Sequence, residues 1–389
     1  MNFWDVKHIK TLWKRIPLGV KIILFIALMA NVIANDSPIV IFHDDGLHFP
    51  IFTKNTSLNA KDWKTINAPF YINTPIPYDD NHIDQKNAHY VGPFDKQITH
   101  GTYYRHWLGT DEIGRDVLAR TIYGVRNSLF VGLAATMLSA FLGLIIGGIA
   151  GFWGDRNMRV GILNFLFIIL TMVIFLFYLP LVFSALKRSE YFIAVSLLIG
   201  TLLISTLIMK YGLKLKLNSV LTSFTLPVPI SFIITRLMDV LNAIPNILIV
   251  LPILIYFKPS YTIIILVLGL TGWTTKARIV KAEVMRIKAM PFVDNLELLG
   301  MKSRRIFFYH ALPNTWKIFW ASVPFTLVNC IIAEATLSFL GVGLPTNSSS
   351  LGTILYTARE NISAWWCWLP AALLIIYIAF SLRGKHSSQ

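Results

Sequence analysis

The sequence predicts an all-α, polytopic membrane protein, and three observations lead there. Of its 389 residues, 55% are hydrophobic and only 14% charged, with a mean hydropathy of +0.60, too apolar for a soluble chain of this length. The apolar residues gather into uninterrupted runs near the length needed to cross ~30 Å of hydrocarbon at about 1.5 Å per residue. The basic residues fall in short segments between those runs, so the net charge of +15 reads as membrane topology rather than a nucleic-acid footprint.

In residues 1–34, Lys7, Lys10, Lys14 and Arg15 precede the apolar run Leu18 to Ala34. Val32 and Ala34 would make a cleavage site, but the run exceeds the ~7–15 residues of a signal core, which favours a retained first span. Residues 35–126 are polar and rich in Asp, Asn, Pro and Tyr, and their mixed charges predict an external loop region. At its end Val117, Leu118, Thr121, Ile122 and Val125 share one helical face, largely opposite Arg115, Asp116, Arg120 and Arg126. That pattern suits an interfacial helix along the outer surface, or an ordinary helix of the outer loop. In the core segment 127–160, the span Leu129 to Trp153 carries Gly143, Gly147 and Gly151 at four-residue spacing, which lets another helix approach closely.

Ile162 to Leu186 and Tyr191 to Met209 contain no charge and flank Lys187-Arg188-Ser189-Glu190, which predicts an inserted two-span hairpin within 161–230. Residues 231–383 hold the spans Phe232 to Phe257, interrupted by Pro245 and Pro252, Tyr261 to about Trp273, Ile318 to Phe339, and Trp365 to Leu382. A long polar stretch, 276–317, separates the second of these from the third, and 384–389 form a short basic tail. Eight spans place both termini on one side. Under one orientation the N-terminus, Arg156–Arg159, Lys210–Lys216, Lys276–Lys317 and Arg383–Lys385 all become cytoplasmic.

Motifs for chemistry are sparse. GxxxxGK[ST], GxSxG and HExxH do not occur, so neither an ATP site nor a hydrolytic centre is expected in this chain. His43, His48, His82, His89, His100 and His106 are scattered without ligand spacing and read as solvated loop residues. Cys330 and Cys367 sit in apolar stretches and read as packing residues, with no metal site.

The informative stretch is Ala282 to Asn314, where Met285, Pro291, Phe292, Val293, Leu296, Leu298 and Leu299 stand among charges. Gly300 should end a short helix there, since glycine accepts the left-handed cap conformation. From the residues alone this is equally a mechanical lever between two spans or a basic linker beside the membrane.

The segment resembles the coupling loop of binding-protein-dependent ABC permeases, with Val293-Asp294-Asn295-Leu296 at its acidic-Ala-Ala position, Leu299-Gly300 at its glycine, and His310-Ala311-Leu312-Pro313-Asn314 at its closing element. Asn295 and Leu296 replace the two alanines, which makes the presented face bulkier. Three further stretches resemble the dipeptide and oligopeptide branch, in the order of its second permease: His106-Trp107-Leu108-Gly109-Thr110-Asp111 running to Gly114-Arg115-Asp116-Val117-Leu118; Arg236-Leu237-Met238-Asp239 with Ile244-Pro245; and Ala333-Glu334-Ala335-Thr336-Leu337-Ser338-Phe339-Leu340-Gly341. Ile33-Ala34-Asn35-Asp36 and Phe49-Pro50 look most like the subgroup associated with oligopeptides and the peptide-nucleotide microcin C.

The resemblance implies a six-span importer core carrying the extra hairpin and outer loop. It implies a permease in the bacterial inner membrane for peptides or related solutes, working with a second homologous permease, two ABC ATPases that bind ATP and Mg, an external solute-binding protein and membrane lipid. Coupling to the ATPase would fall on Val293, Asp294, Asn295, Leu296, Glu297, Leu299, Gly300, Leu312, Pro313 and Asn314. Glu334, an acid at the outer end of a span, and Ser338 would lie on the substrate path or hold the backbone at a bend. A proton-coupled carrier would need more ionisable residues inside its spans, and a membrane-embedded enzyme a polar cluster at the bilayer surface.

Overall fold

The computed structural model describes residues 18–43, 46–50, 70–99, 101–154, 159–161, 196, 200, 225–227, 230–345 and 347–383. The two runs expected to form the inserted hairpin lie almost wholly outside these residues, as do the basic N-terminus, residues 51–69 and the tail.

The described chain is chiefly helical. α1 (Leu18–Leu28) and the single turn α2 (Ala30–Ile33) lead into a small antiparallel sheet of order β2-β1-β3, with β1 Val40–His43, β2 Gly46–His48 and β3 Phe70–Ile72. Ile41 pairs with both His48 and Tyr71 and is buried. A long ordered segment then reaches α3 (Val117–Trp153), and a two-stranded ladder pairs β4 (Arg159–Gly161) with β5 (Thr225–Pro227). Next come α4 (Ile230–Ala243), α5 (Asn246–Tyr256), α6 (Tyr261–Lys288), α7 (Pro291–Leu298), α8 (Ser303–Ile306), a π turn at Phe307–Ala311, α9 (Leu312–Asn314), α10 (Trp316–Phe339), α11 (Leu351–Glu360) and α12 (Trp365–Arg383).

Among the described residues α3, α6, α10 and α12 are long and apolar enough to cross a membrane, and the α4–α5 pair adds a fifth if it counts as one span. That pair bends by 79°. Pro245 explains the break: it brings no N–H to the helical ladder and pushes Ile244 away from the helical region. α1 is apolar but shorter.

Two elements depart from expectation. No separate interfacial helix precedes the second span, because α3 runs unbroken for 37 residues from Val117. Its supposed wet face is internal: Asp116 and Arg120 are both buried, held by His106 and Asp111 respectively. The span from Tyr261 likewise continues past Trp273 as helix to Lys288, so the polar stretch opens as an extension of α6.

The chain divides into two compact units, one of Met1–Ser139, Pro259–Leu270 and Ala321–Gln389, the other of Ala140–Lys258 and Thr271–Trp320. In the second unit the glycines of α3 receive α6 directly. A Cβ at Gly147 would overlap the Ala277 backbone, one at Gly143 would overlap the Lys276 Cβ, and one at Gly151 would lie 2.7 Å from the Lys281 carbonyl oxygen. Trp273, Ala277, Met238, Leu142 and Ile146 pack together beside this contact.

Candidate functional site

In the second unit, α7 has the local chemistry of a short, sharply ended helix. Pro291 occupies its first turn, where the missing N–H costs nothing, and Asp294 adds a carboxylate near the positive end. At the other end Gly300 lies at φ +75°, its N–H bonding the Glu297 carbonyl at 2.9 Å while Met301 N–H bonds that of Leu296 at 3.1 Å. This double bond is the Schellman closure, which only glycine adopts without strain.

One side of α7 is seated and the other is bare. Val293 is buried and Leu296 half-buried, whereas Phe292, Asp294, Asn295, Glu297 and Gly300 are exposed, and Leu298 and Leu299 are 85% and 81% exposed. Leu298 and Leu299 together form a small bare apolar edge at the end of the helix. The coupling residues implied by the resemblance skip Leu298, which the structure adds to the exposed edge.

The mounting is firm. Ile306 and Phe307 are buried, with the Phe307 ring 5.3 Å from that of Phe152 and 4.9 Å from that of Trp153 at the end of α3. Lys288, closing α6, donates to the Phe152 carbonyl at 2.7 Å. Pro313 cannot donate to the helical ladder, and the chain ahead of it widens into the π turn. Asn314 then donates to the His310 carbonyl at 2.8 Å. The segments on either side of α7 are thus both fastened to the end of α3, Lys288 by a hydrogen bond and Phe307 by ring packing.

In the first unit, the motif stretch Ala333 to Gly341 meets Ser128 of α3 at the start of α11. Glu334 is fully buried; Ser128 Oγ donates to its Oε2 at 2.7 Å and Ser338 Oγ to its Oε1 at 2.8 Å. Each serine oxygen also accepts a backbone N–H, Ser128 from Leu351 at 3.1 Å and Ser338 from Leu344 at 3.3 Å. Asn127 donates to the Ser349 carbonyl at 2.6 Å, and Ser350 with Thr353 forms a capping box on α11. The carboxylate thus ties α3, α10 and α11 together near a helix N-terminus, where negative charge is favoured. Ser128, and Ser349 and Ser350 in the run Ser348–Ser350, carried no sequence signal, since serines at these positions match no diagnostic spacing.

Glu334→Leu is expected to leave two buried hydroxyl donors without acceptors, at about 1–3 kcal/mol each. Thermal unfolding in detergent should show that loss, with Glu334→Gln milder because one acceptor survives. Equal stability of the two variants would contradict the tie.

The stretch from His106 to Arg120 folds as a cap on α3. Asp111 Oδ1 accepts from the Ile113 and Arg115 N–H groups, while its Oδ2 pairs with Arg115 and Arg120. Asp116 accepts from Ala119 N–H at 2.7 Å and lies 2.8 Å from His106 Nδ1. His106 is wholly buried, with Nε2 3.4 Å from Asp84 and its ring stacked 4.2 Å from Tyr78. It is not the solvated loop histidine its spacing suggested, because two carboxylates and an aromatic ring replace water around it. Among the described residues no group of three or more His, Cys, Asp or Glu is placed to hold a metal.

Partial burial pushes the Asp84 carboxyl up, but bonds from Asn87, His106 and the Lys86 N–H outweigh it and hold the group below its ordinary value. A carboxyl depressed on folding stabilises above its unfolded pKa and loses that stabilisation as pH falls through the folded value. Asp84→Asn should therefore lower the unfolding temperature at pH 6 and narrow its gap from the parent as pH drops towards about 3; a gap constant with pH would contradict this.

Residues 219–384 match the family described as binding-protein-dependent transport system inner membrane component. That segment of the chain carries a domain similar to this permease family. The chain is 26% identical to the oligopeptide transport system permease protein OppC of Bacillus subtilis, over 70% of this chain and 66% of that one. It is 28% identical to the dipeptide transport system permease protein DppC of the same organism, over 72% and 66%. It is 23% identical to the inner membrane ABC transporter permease protein YejE of Escherichia coli, over 94% and 90%. The chain thus spans slightly under two thirds of the length of its two Bacillus relatives. With its apolar helices these likenesses support a multi-pass inner-membrane protein similar to permeases of peptide ABC importers.

Proposed function

We propose that this permease carries peptides or related solutes inward, driven by ATP hydrolysed in partner ATPases and transmitted through α7. The proposed assembly contains a second homologous permease, two ATPases and an external solute-binding protein, with both termini of this chain cytoplasmic and ATP and Mg held by the partners. The observation that carries the reading is the bare Leu298-Leu299 edge on a helix whose two flanks are fastened to the end of α3. The oligopeptide and dipeptide names of the Bacillus relatives support the solute class. Glu334 and Ser338 are engaged in bonds within the chain, which supports a holding role rather than direct contact with solute.

Gly300→Trp provides the test. The position faces open space, so a side chain fits, but its backbone conformation costs a non-glycine residue roughly 1–2 kcal/mol. In the reconstituted complex the variant should hydrolyse ATP without matching uptake. Uptake per ATP equal to that of the parent would overturn the coupling assignment.

A further inference from the structure

Two spanning helices of the first unit start from one cluster. Val117, opening α3, and Ala364 and Cys367, at the head of α12, are buried together with Tyr90, Leu108 and Trp366 packed against them. The Trp366 indole N–H donates to the Thr110 carbonyl at 3.3 Å, and a Cβ on Gly92 or Gly109 would come within 3.4 and 3.1 Å of the Trp366 ring. The outer segments 91–95 and 106–111 are therefore clamped to the level at which α3 and α12 enter the bilayer.

Large apolar side chains fringe this clamp. Phe94 is 87% exposed, Ile362 74%, Trp107 58% and Trp365 46%. Trp365 begins α12 on the same side as Leu373, Ile376 and Phe380, which are exposed and fall with it in an arc of about 80° at ~100° per residue. The fringe thus continues the bare apolar stripe of a spanning helix. Two exposed cations flank Phe94: Lys96, and Arg105, whose Nη2 donates to the Pro93 carbonyl at 2.8 Å. Amphipathic aromatics at the edge of the hydrocarbon with cations beside them suit the headgroup layer, where indole rings and lipid phosphates meet.

We propose that Phe94, Trp107, Ile362 and Trp365 form an anchor seated in the headgroup layer of the outer leaflet, fastening the outer segment to lipid beside α12. The leaflet assignment rests on the orientation proposed above; the contact with lipid does not.

The test uses the full-length chain in nanodiscs of phosphatidylethanolamine and phosphatidylglycerol, with bimane on Phe94→Cys and, as a control, on Lys86→Cys, another exposed position. Headgroup-spin-labelled lipid should quench bimane at Phe94→Cys at least about twofold more than at Lys86→Cys, while iodide quenches it less. Equal iodide quenching at both positions with no quenching by lipid would overturn the anchor. So would protection from iodide that appears only when other subunits are added, since that marks a protein-docking face. A membrane-impermeant maleimide applied to intact spheroplasts should modify Lys86→Cys. Modification only after permeabilisation would overturn the outer-leaflet assignment separately.

Discussion

Replacing Leu298 and Leu299 together by aspartate is expected to lower ATP-driven uptake by about two orders of magnitude while leaving the chain inserted and folded. Both side chains are almost bare, so folding places little demand on them. Burying a leucine in an interface is worth about 1.5–3 kcal/mol. Losing both therefore removes roughly 3 kcal/mol or more of docking free energy, at tenfold in affinity per ~1.4 kcal/mol. Uptake into proteoliposomes and the amount of ATPase retained on purification should fall together. Uptake within about twofold of the parent would show that this edge bears no partner.

The largest structural effect is expected at Gly147. A Cβ there meets the Ala277 backbone, which cannot rotate aside, so Gly147→Val forces α3 and α6 apart along the face that also carries Gly143 and Gly151. Overpacking costs roughly 1–3 kcal/mol, and backbone as the obstacle places this case at the upper end. The packing of Met238, Trp273 and Ala277 beside it would loosen as well. Detergent-solubilised Gly147→Val should unfold several degrees earlier, or fail to accumulate, whereas Phe141→Val, on an exposed face of the same helix, should behave as the parent. Equal thermal midpoints for the two variants would contradict close helix contact at Gly147.

How much of this was legible in the sequence depended on whether the signal was local. The closure of α7 at Gly300 could be read directly, because a left-handed helix end calls for glycine at that one position. The glycine triplet of α3 was legible as a close-contact face, though not its partner, since a spacing names no neighbour. The polar face from Arg115 to Arg120 was misread because periodicity separates faces without telling water from buried counter-charges. Asp111 and His106, a few residues upstream, supply those partners only once the chain has turned back on itself. The same holds for Glu334, whose partner Ser128 lies on another helix and 206 positions away. The length of α6 was underestimated because its charged final turns resemble a loop in hydropathy, although the helix continues through them.

If α7 meets an ATPase, a crosslink from its exposed end captures the contact. With Leu298→Cys carrying a maleimide-linked benzophenone, illumination should join this permease to the ATPase in the assembled transporter by insertion into a neighbouring C–H bond, with a yield that changes between nucleotide-free and ATP-bound states. A crosslink to lipid or to another permease alone, or no ATPase adduct in a complex that still performs ATP-driven uptake, would contradict it.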